Sequence, residues 1–139
     1  MRIDFRSHDV IALPINLHKH WTLGLLYPKE QRVEFLDSAP RMEVSNFMVN
    51  ILKEIFCWLW NKQGELSTSN HTSITIANVG SRDMKSEEQG NGVDCGVYTL
   101  TNWLAVANSL PIDTISEVIV QEKRWRIADE LRQKLNYNT

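Results

Sequence analysis

Residues 89–96 have the sequence Gln-Gly-Asn-Gly-Val-Asp-Cys-Gly, and an apolar helical pattern follows directly. This stretch places Cys95 at the start of a predicted helix, behind a loop of glycine and amide residues. The unpaired N–H groups and the positive end of a helix dipole favour a thiolate over a thiol. Because the thiolate is the nucleophilic form, the sequence predicts a cysteine nucleophile at this position.

A predicted β-hairpin upstream supplies an imidazole and a carboxylate. The pattern indicates strands at 20–27 and 32–36, joined by a tight turn at 28–31. Folding about that turn pairs positions whose numbers sum to roughly 58 or 59, so His20 and Asp37 are expected nearly opposite each other. Opposed Cβ atoms in an antiparallel pair are about 4.5–5.5 Å apart, which suits a carboxylate that orients an imidazole. The hairpin leaves open whether Cys95 reaches this pair.

The rest of the chain predicts one α+β domain over residues 1–139. Ser45 is expected to cap a helix that places Phe47, Ile51, Ile55 and Leu59 on one face. The other predicted elements are a polar lead-in at 1–9, an edge or bulged strand at 10–17, the capped helix at 46–60, polar loops at 61–71 and 80–91, a strand at 73–79, and helices at 95–109 and 116–135.

The order of these motifs resembles that of the ubiquitin-like-protein-specific cysteine proteases, the SUMO and related isopeptidases, whose fold is shared with the adenovirus protease. The resemblance implies a papain-like core with a mixed or antiparallel sheet and packed helices. Family catalytic domains usually carry a considerable N-terminal portion, so the chain is expected to be an N-terminally short catalytic domain. The segments that carry the resemblance are Pro14–Asn16, His20-Trp21, Phe35–Ser38, Gln89–Gly96 and Lys123–Ile127.

Roles for individual residues follow from this resemblance. It implies that Cys95 is the nucleophile, His20 the general base and acid, and Asp37 the residue that orients His20. Gln89 would donate a side-chain hydrogen bond in the oxyanion hole, and Trp21 would line a narrow slot for the Gly-Gly tail of the modifier. The remaining residues assigned to substrate binding are Gly92, Asp94 and Gly96.

Composition narrows the class of protein. Lys and Arg number 15 against 17 Asp and Glu, a net charge of −2 that argues against nonspecific nucleic-acid binding. Two cysteines, no secretory segment and no bilayer-length apolar run predict an intracellular protein of the nucleus or cytoplasm, without a membrane partner. The histidines show no convincing metal-ligand spacing, so neither a metal nor a cofactor is expected.

Three hypotheses about function stand at this point. The favoured one is a cysteine isopeptidase that cleaves after the C-terminal Gly-Gly of SUMO or a related modifier. A second keeps this chemistry but acts on ubiquitin, another modifier or a viral-type polyprotein. The third is a truncated pseudoprotease that binds without turnover. Simpler interpretations of three residues also stay open. They are Cys95 as a buried hydrophobic residue, Asp94 as a plain helix cap and Asp37 as the start of a turn.

Overall fold

The centre of the described protein is a four-stranded mixed sheet. The computed structural model describes residues 4–65, 72–82, 88 and 90–136, and its strands are β1 (Ile11–Leu17), β2 (His20–Tyr27), β3 (Arg32–Leu36) and β4 (Gly80–Arg82). The strands are adjacent in numerical order; β1, β2 and β3 are antiparallel, whereas β4 lies parallel to β3. The predicted α+β fold with a mixed sheet and packed helices is confirmed.

Helices cover both faces of this sheet. They are α1 (Met42–Glu65), α2 (Cys95–Ala107) and α3 (Glu117–Asn136). One core cluster joins α1 to the sheet through Leu26, Val33 and Phe35, and a second joins α2 and α3 to it through Leu23 and Leu25. Successive residues of β2 point to opposite faces, and helices cover both faces. β2 is therefore apolar along most of its length rather than alternating between apolar and polar residues.

Gly24 allows helix α1 to approach β2 closely. A Cβ built at this position would lie 2.7 Å from Leu52 Cδ2 and 3.2 Å from Ile15 Cδ1. Such distances are shorter than ordinary packing contacts, so a side chain here would require the core to shift. The glycine therefore lets the strand that begins at His20 pack tightly against α1.

The predicted start, end and buried face of the first helix are wrong. The helix begins at Met42, directly after Pro40-Arg41, and the Ser45 N–H donates to Arg41 O at 2.9 Å, so Ser45 lies inside the helix rather than capping it. The helix also continues past Trp60, into the segment predicted as a loop.

The buried side chains of α1 include Met48, Leu52, Phe56 and Cys57. Phe47, which the pattern placed on the core face, is 63% exposed, and Ile55 is exposed as well. Two apolar stripes run along this helix one residue apart. Periodicity cannot rank them, and the contact with Leu26 and Val33 selects the second.

The strand predicted at 73–79 is also wrong. Residues Ile76–Asn78 form a short 3-10 helix, because the Thr75 and Asn78 side chains cap each other's backbone N–H groups. The strand begins only at Gly80, whose N–H donates to Gln31 O at 2.8 Å. The parts of the predicted loops at 66–71 and 83–87 lie outside the described residues.

Among the described residues, the polarity of the helices bears on membrane insertion, and the clustering of side chains bears on metal binding. Within 4–65, 72–82, 88 and 90–136, none of the helices has both the length and the apolar character needed to cross a bilayer. In the same ranges, His, Cys, Asp and Glu side chains form no group of three or more suited to hold a metal ion.

Candidate active site

The structure brings the predicted imidazole and carboxylate together. His20 Nε2 lies 2.6 Å from Asp37 Oδ1, within hydrogen-bond distance. Because an ionised carboxylate only accepts, this bond assigns the proton to Nε2. The lone pair is then on Nδ1, which is the ring nitrogen left to exchange a proton with a nucleophile.

Asp37 is held rigidly at the end of β3. Its Oδ1 also accepts the Ala39 N–H at 2.8 Å, which closes a local turn after the strand. Its side chain is 5% exposed, whereas that of His20 is 27% exposed. The carboxylate is thus fixed below the surface, and the imidazole that it orients is open to a substrate.

A two-residue turn delivers His20 to this position. β1 and β2 pair through Leu17 and His20, which leaves only His18 and Lys19 between the strands. Both have positive φ, 49° and 70°, as a hairpin turn of this length requires. Asn-Gly is the usual sequence for such a turn, so His-Lys gives no sequence signal for it.

Cys95 is the first residue of α2, as predicted. Asp94 occupies the N-cap position without a capping bond from its side chain, and the Tyr98 N–H donates to Asp94 O at 2.9 Å. The thiol is free and buried, with the residue 6% exposed. At this position the N–H groups of the first turn have no intrahelical partners and form the positive end of the helix dipole.

Trp21 connects the helix start to the strand that carries His20. A Cβ built at Gly96 would lie 3.5 Å from Trp21 Cδ1, so the indole lies beside the start of α2 with no Gly96 side chain between them. His20 precedes Trp21 and Cys95 precedes Gly96 in the chain, so each stands one residue from this approach. α2 also packs along β2.

The loop before Cys95 is organised by an asparagine. Asn91 Oδ1 accepts the N–H groups of Val93 and Asp94, each at 3.0 Å, and its Nδ2 donates to Asp94 Oδ2 at 2.7 Å. Gly92 lies at the tip of this turn, and a Cβ there would meet no described atom within 4 Å. The tip of the loop is therefore open, whereas its base is tied to Asp94.

The Asp94 carboxylate points away from solvent. The residue is 1% exposed and is bonded to helix α3 through Gln121 and Arg124. Its side chain is therefore not available to a substrate, and a role in substrate binding would fall to its backbone. Asp94 is the N-cap residue of α2, as the plain-cap interpretation has it, but its side chain makes no capping hydrogen bond.

Gln89 lies outside the described residues. Its assignment to the oxyanion hole stays a prediction, as do the roles of Trp21, Gly92, Asp94 and Gly96 in substrate binding. The backbone N–H of Cys95 is the other donor that the sequence suggests for a developing oxyanion.

Comparison with known proteins assigns the family. The model of the Ulp1 protease family, C-terminal catalytic domain, matches residues 2–136. The chain belongs to the Ulp1 protease family. This match spans nearly the whole chain and includes the hairpin, the Cys95 loop and helix α3.

Individual Ulp1-family relatives agree in sequence and fold. A putative ubiquitin-like-specific protease 1B of Arabidopsis thaliana is 27% identical over 98 residues, which are 70% of this chain and 27% of that protein. The C-terminal Ulp1 protease domain solved with Smt3, the yeast ortholog of SUMO, matches with a TM-score of 0.67 and 23% identity, covering 88% of this chain and 52% of that one.

A third Ulp1-family structure is the catalytic domain of the Chaetomium thermophilum Ulp1-like SUMO protease. It matches with a TM-score of 0.61 and 25% identity over 86% of this chain and 45% of that domain. The chain therefore spans about half the length of the solved catalytic domains that it matches.

A groove extends from the His20–Asp37 pair of this Ulp1-family domain toward α1. It has a volume of about 620 Å³ and is lined by His20 and Asp37 together with Leu17, His18, Phe47 and Met48, among others. The groove has no signature in the sequence, because it forms between the end of a strand and a helix that lie in separate segments of the chain. The contacts of Arg124 and Gln121 with Asp94 were also not predicted, because polar side chains on an exposed helix are usually only solvated.

Proposed function

We propose that this chain is a cysteine isopeptidase that cleaves after the C-terminal Gly-Gly of SUMO or a related ubiquitin-like modifier. The observation that carries the proposal is the 2.6 Å bond from His20 Nε2 to Asp37 Oδ1. Cys95 begins the helix whose Gly96 lies beside Trp21, the residue after His20. The names of the relatives support the substrate class, since one is a ubiquitin-like-specific protease and another was solved with Smt3.

In the first half of the proposed reaction, Cys95 gives its thiol proton to His20 Nδ1 and attacks the carbonyl carbon of the terminal glycine. The oxyanion that forms accepts hydrogen bonds from the Cys95 N–H and the Gln89 side chain. The C–N bond to the leaving amine then breaks, and His20 passes its proton to that amine. The product is a thioester between Cys95 and the modifier.

In the second half, a water molecule attacks the thioester carbonyl while His20 takes its proton. The carbon–sulfur bond breaks, which releases the modifier with a free C-terminal carboxylate and restores Cys95. Asp37 keeps the proton on Nε2 throughout and stabilises the imidazolium that forms in each half. Each step uses only water, the Cys95 N–H and the side chains of Cys95, His20, Asp37 and Gln89.

A tail of two glycines fits the proposed slot for a physical reason. The indole of Trp21 is 43% exposed and lies against the side-chain-free Gly96. A substrate segment without side chains lies flat along an exposed ring and needs the narrowest slot, whereas a Cβ on either residue of the tail would widen that slot. We also propose that the reaction takes place in the nucleus or cytoplasm, where the thiol stays reduced.

The test is a panel of electrophilic C-terminal probes made from SUMO, ubiquitin and other modifiers. A covalent adduct with one modifier, mapped to Cys95 by mass spectrometry and absent from Cys95→Ser, supports the proposal and names the substrate class. Cys57→Ser is the matched control, because Cys57 is the other free cysteine and lies within the α1 core.

Two outcomes would change the conclusion. An adduct with ubiquitin or another modifier but not SUMO would keep the chemistry and change the substrate. A folded protein that forms no adduct with any modifier, yet retains one of them on a column, would be a binding module rather than an enzyme.

A further inference from the structure

A buried carboxylate directly precedes the proposed nucleophile, and three side chains bind it. Asp94 Oδ1 accepts a hydrogen bond from Arg124 at 2.8 Å. Its Oδ2 accepts two more, from Gln121 Nε2 at 2.9 Å and from Asn91 Nδ2 at 2.7 Å. The proposed reaction assigns no step to Arg124 or Gln121, although both are bonded to the residue next to Cys95.

These bonds connect two separate parts of the chain. Asn91 belongs to the same loop as Asp94, whereas Gln121 and Arg124 lie 27 and 30 residues further on, in α3. A carboxylate that is 1% exposed needs a cation and hydrogen-bond donors to remain ionised in the interior. Arg124 supplies the charge and Gln121 completes the set of donors, so the loop has a low-energy position only where it meets α3.

The face of α3 that meets the loop follows helical spacing. Glu117, Gln121 and Arg124 occupy positions i, i+4 and i+7, which align along one side of a helix. Gly90 lies against the first of them, since a Cβ built there would be 2.9 Å from Glu117 Oε1. Val120, within the same two turns, is fully buried in the core that also holds Tyr98 of α2.

We propose that Arg124 and Gln121 are positioning residues for the cysteine loop. They hold Asp94, and through it they fix the backbone at 91–95 and the direction of the first turn of α2. The consequence for the reaction, which rests on the proposed function, is that Cys95 Sγ and the Cys95 N–H keep their places relative to the substrate carbonyl. A misplacement of about 1 Å at such a site can reduce turnover by as much as about 10²-fold.

The experiment compares Arg124→Met with Arg126→Met. Both residues lie on α3, but the Arg126 side chain is 72% exposed and forms an ion pair with Glu130 on the helix surface, at 3.5 Å. Two properties of the intact chain are measured: amide hydrogen exchange at 91–95, and kcat and KM for a fluorogenic C-terminal amide of the modifier that reacts in the probe panel. Gln121→Leu and Arg124→Lys complete the set.

We expect Arg124→Met to speed exchange at 91–95 by about tenfold or more, with little change in the β2 amides. We expect it to lower kcat by about tenfold or more while KM stays within about twofold, because the role proposed for Arg124 is to position Cys95 and not to bind the substrate. Arg124→Lys should recover part of kcat, since an ammonium retains the charge but not the planar fork. Arg126→Met should match the wild type in both measurements.

The proposal is overturned if Arg124→Met exchanges at 91–95 like Arg126→Met, or if its kcat is unchanged while exchange rises. If Arg124→Met does not fold, Gln121→Leu provides the same comparison with the charge pair intact. Hydrogen exchange needs no turnover, so a wild type that hydrolyses no modifier would remove the proposed function, and the exchange data would still decide whether α3 positions the loop.

Discussion

His20 and Asp37 lie diagonally across neighbouring strands, with Nε2 and Oδ1 2.6 Å apart. The register that pairs Leu23 with Leu36 would place Asp37 opposite Thr22 if it continued one residue further, so His20 stands two residues beyond the direct partner. Diagonal neighbours share a face of the sheet and are within reach of longer side chains. An imidazole is long enough to span this offset, and the Asp37 carboxylate meets it at the far ring nitrogen.

Asp37→Asn tests the role of that bond. An amide can donate to Nε2, which would move the ring proton to Nδ1 and leave no lone pair for the thiol proton. We expect a folded protein whose kcat on a modifier amide falls by about 10²- to 10⁴-fold. Turnover within twofold of the wild type, at an unchanged melting temperature, would show that Asp37 does not orient the base.

Cys95→Ser tests the nucleophile. A hydroxyl is much harder to ionise than a thiol, so we expect loss of measurable turnover with retention of modifier binding. The comparison is Cys57→Ser, which should keep its turnover; burial raises the pKa of the Cys57 thiol and keeps it protonated. Binding is measured by calorimetry and turnover by release of a fluorophore. Hydrolysis by Cys95→Ser would remove the assignment.

Trp21→Ala tests the proposed slot for the Gly-Gly tail. Trp21 is 43% exposed beside Gly96, whereas Trp125 is 74% exposed on α3 and serves as the matched control. Removing the indole deletes a flat apolar contact, for which we expect KM to rise by about tenfold. Trp125→Ala should leave KM unchanged. Equal KM values for the two variants would place the tail elsewhere.

The raised pKa of Tyr27 predicts how the free energy of unfolding changes at alkaline pH. Its hydroxyl donates to Glu34 Oε2 at 2.9 Å, and burial together with this carboxylate raises the pKa of Tyr27. The unfolded chain releases the phenol proton near about pH 10, whereas the folded chain keeps it to higher pH. The folded state then binds more protons, so the free energy of unfolding falls as pH rises above about 10.

Tyr27→Phe removes this titrating group. We expect it to cost about 1.5–3 kcal/mol at pH 7, because Glu34 loses a donor, and to make the decline above pH 10 shallower. Urea unfolding at pH 7, 9, 10 and 11 measures both effects. Two curves that remain parallel up to pH 11 would show that this tyrosine does not control the alkaline decline.

Lys19→Gly tests the turn that leads into His20. Lys19 has φ of 70°, which glycine adopts without a Cβ penalty. We expect a gain of about 1 kcal/mol after allowing for the extra freedom of the unfolded chain, or roughly 4 °C in melting temperature. Lys53→Gly, within α1, should instead lose about 1 kcal/mol. A melting temperature that falls for both variants would contradict the argument.

The strands and the approximate register of the β2–β3 hairpin were predictable, because the single turn at 28–31 fixes which residues pair. The same holds for the start of α2 at Cys95, where glycine and amide residues end and an apolar period begins. Local patterns did not predict the buried face of α1 or the secondary structure of residues 73–79. In α1, two apolar stripes compete for the sheet, and at 75–78 two side chains satisfy the backbone locally, where a strand would need a partner.

The amino-acid sequence therefore identifies the candidate reactive groups. These are the thiol of Cys95 at a helix start, and the imidazole of His20 and the carboxylate of Asp37 on one hairpin. Those assignments depend on neighbours in the chain or on a single turn. Folding brings the start of α2 against Trp21 and turns Asp94 inward to Arg124, 30 residues away. Contacts at that separation depend on which helix face is buried, and this in turn depends on the packing of the whole core rather than on any local pattern.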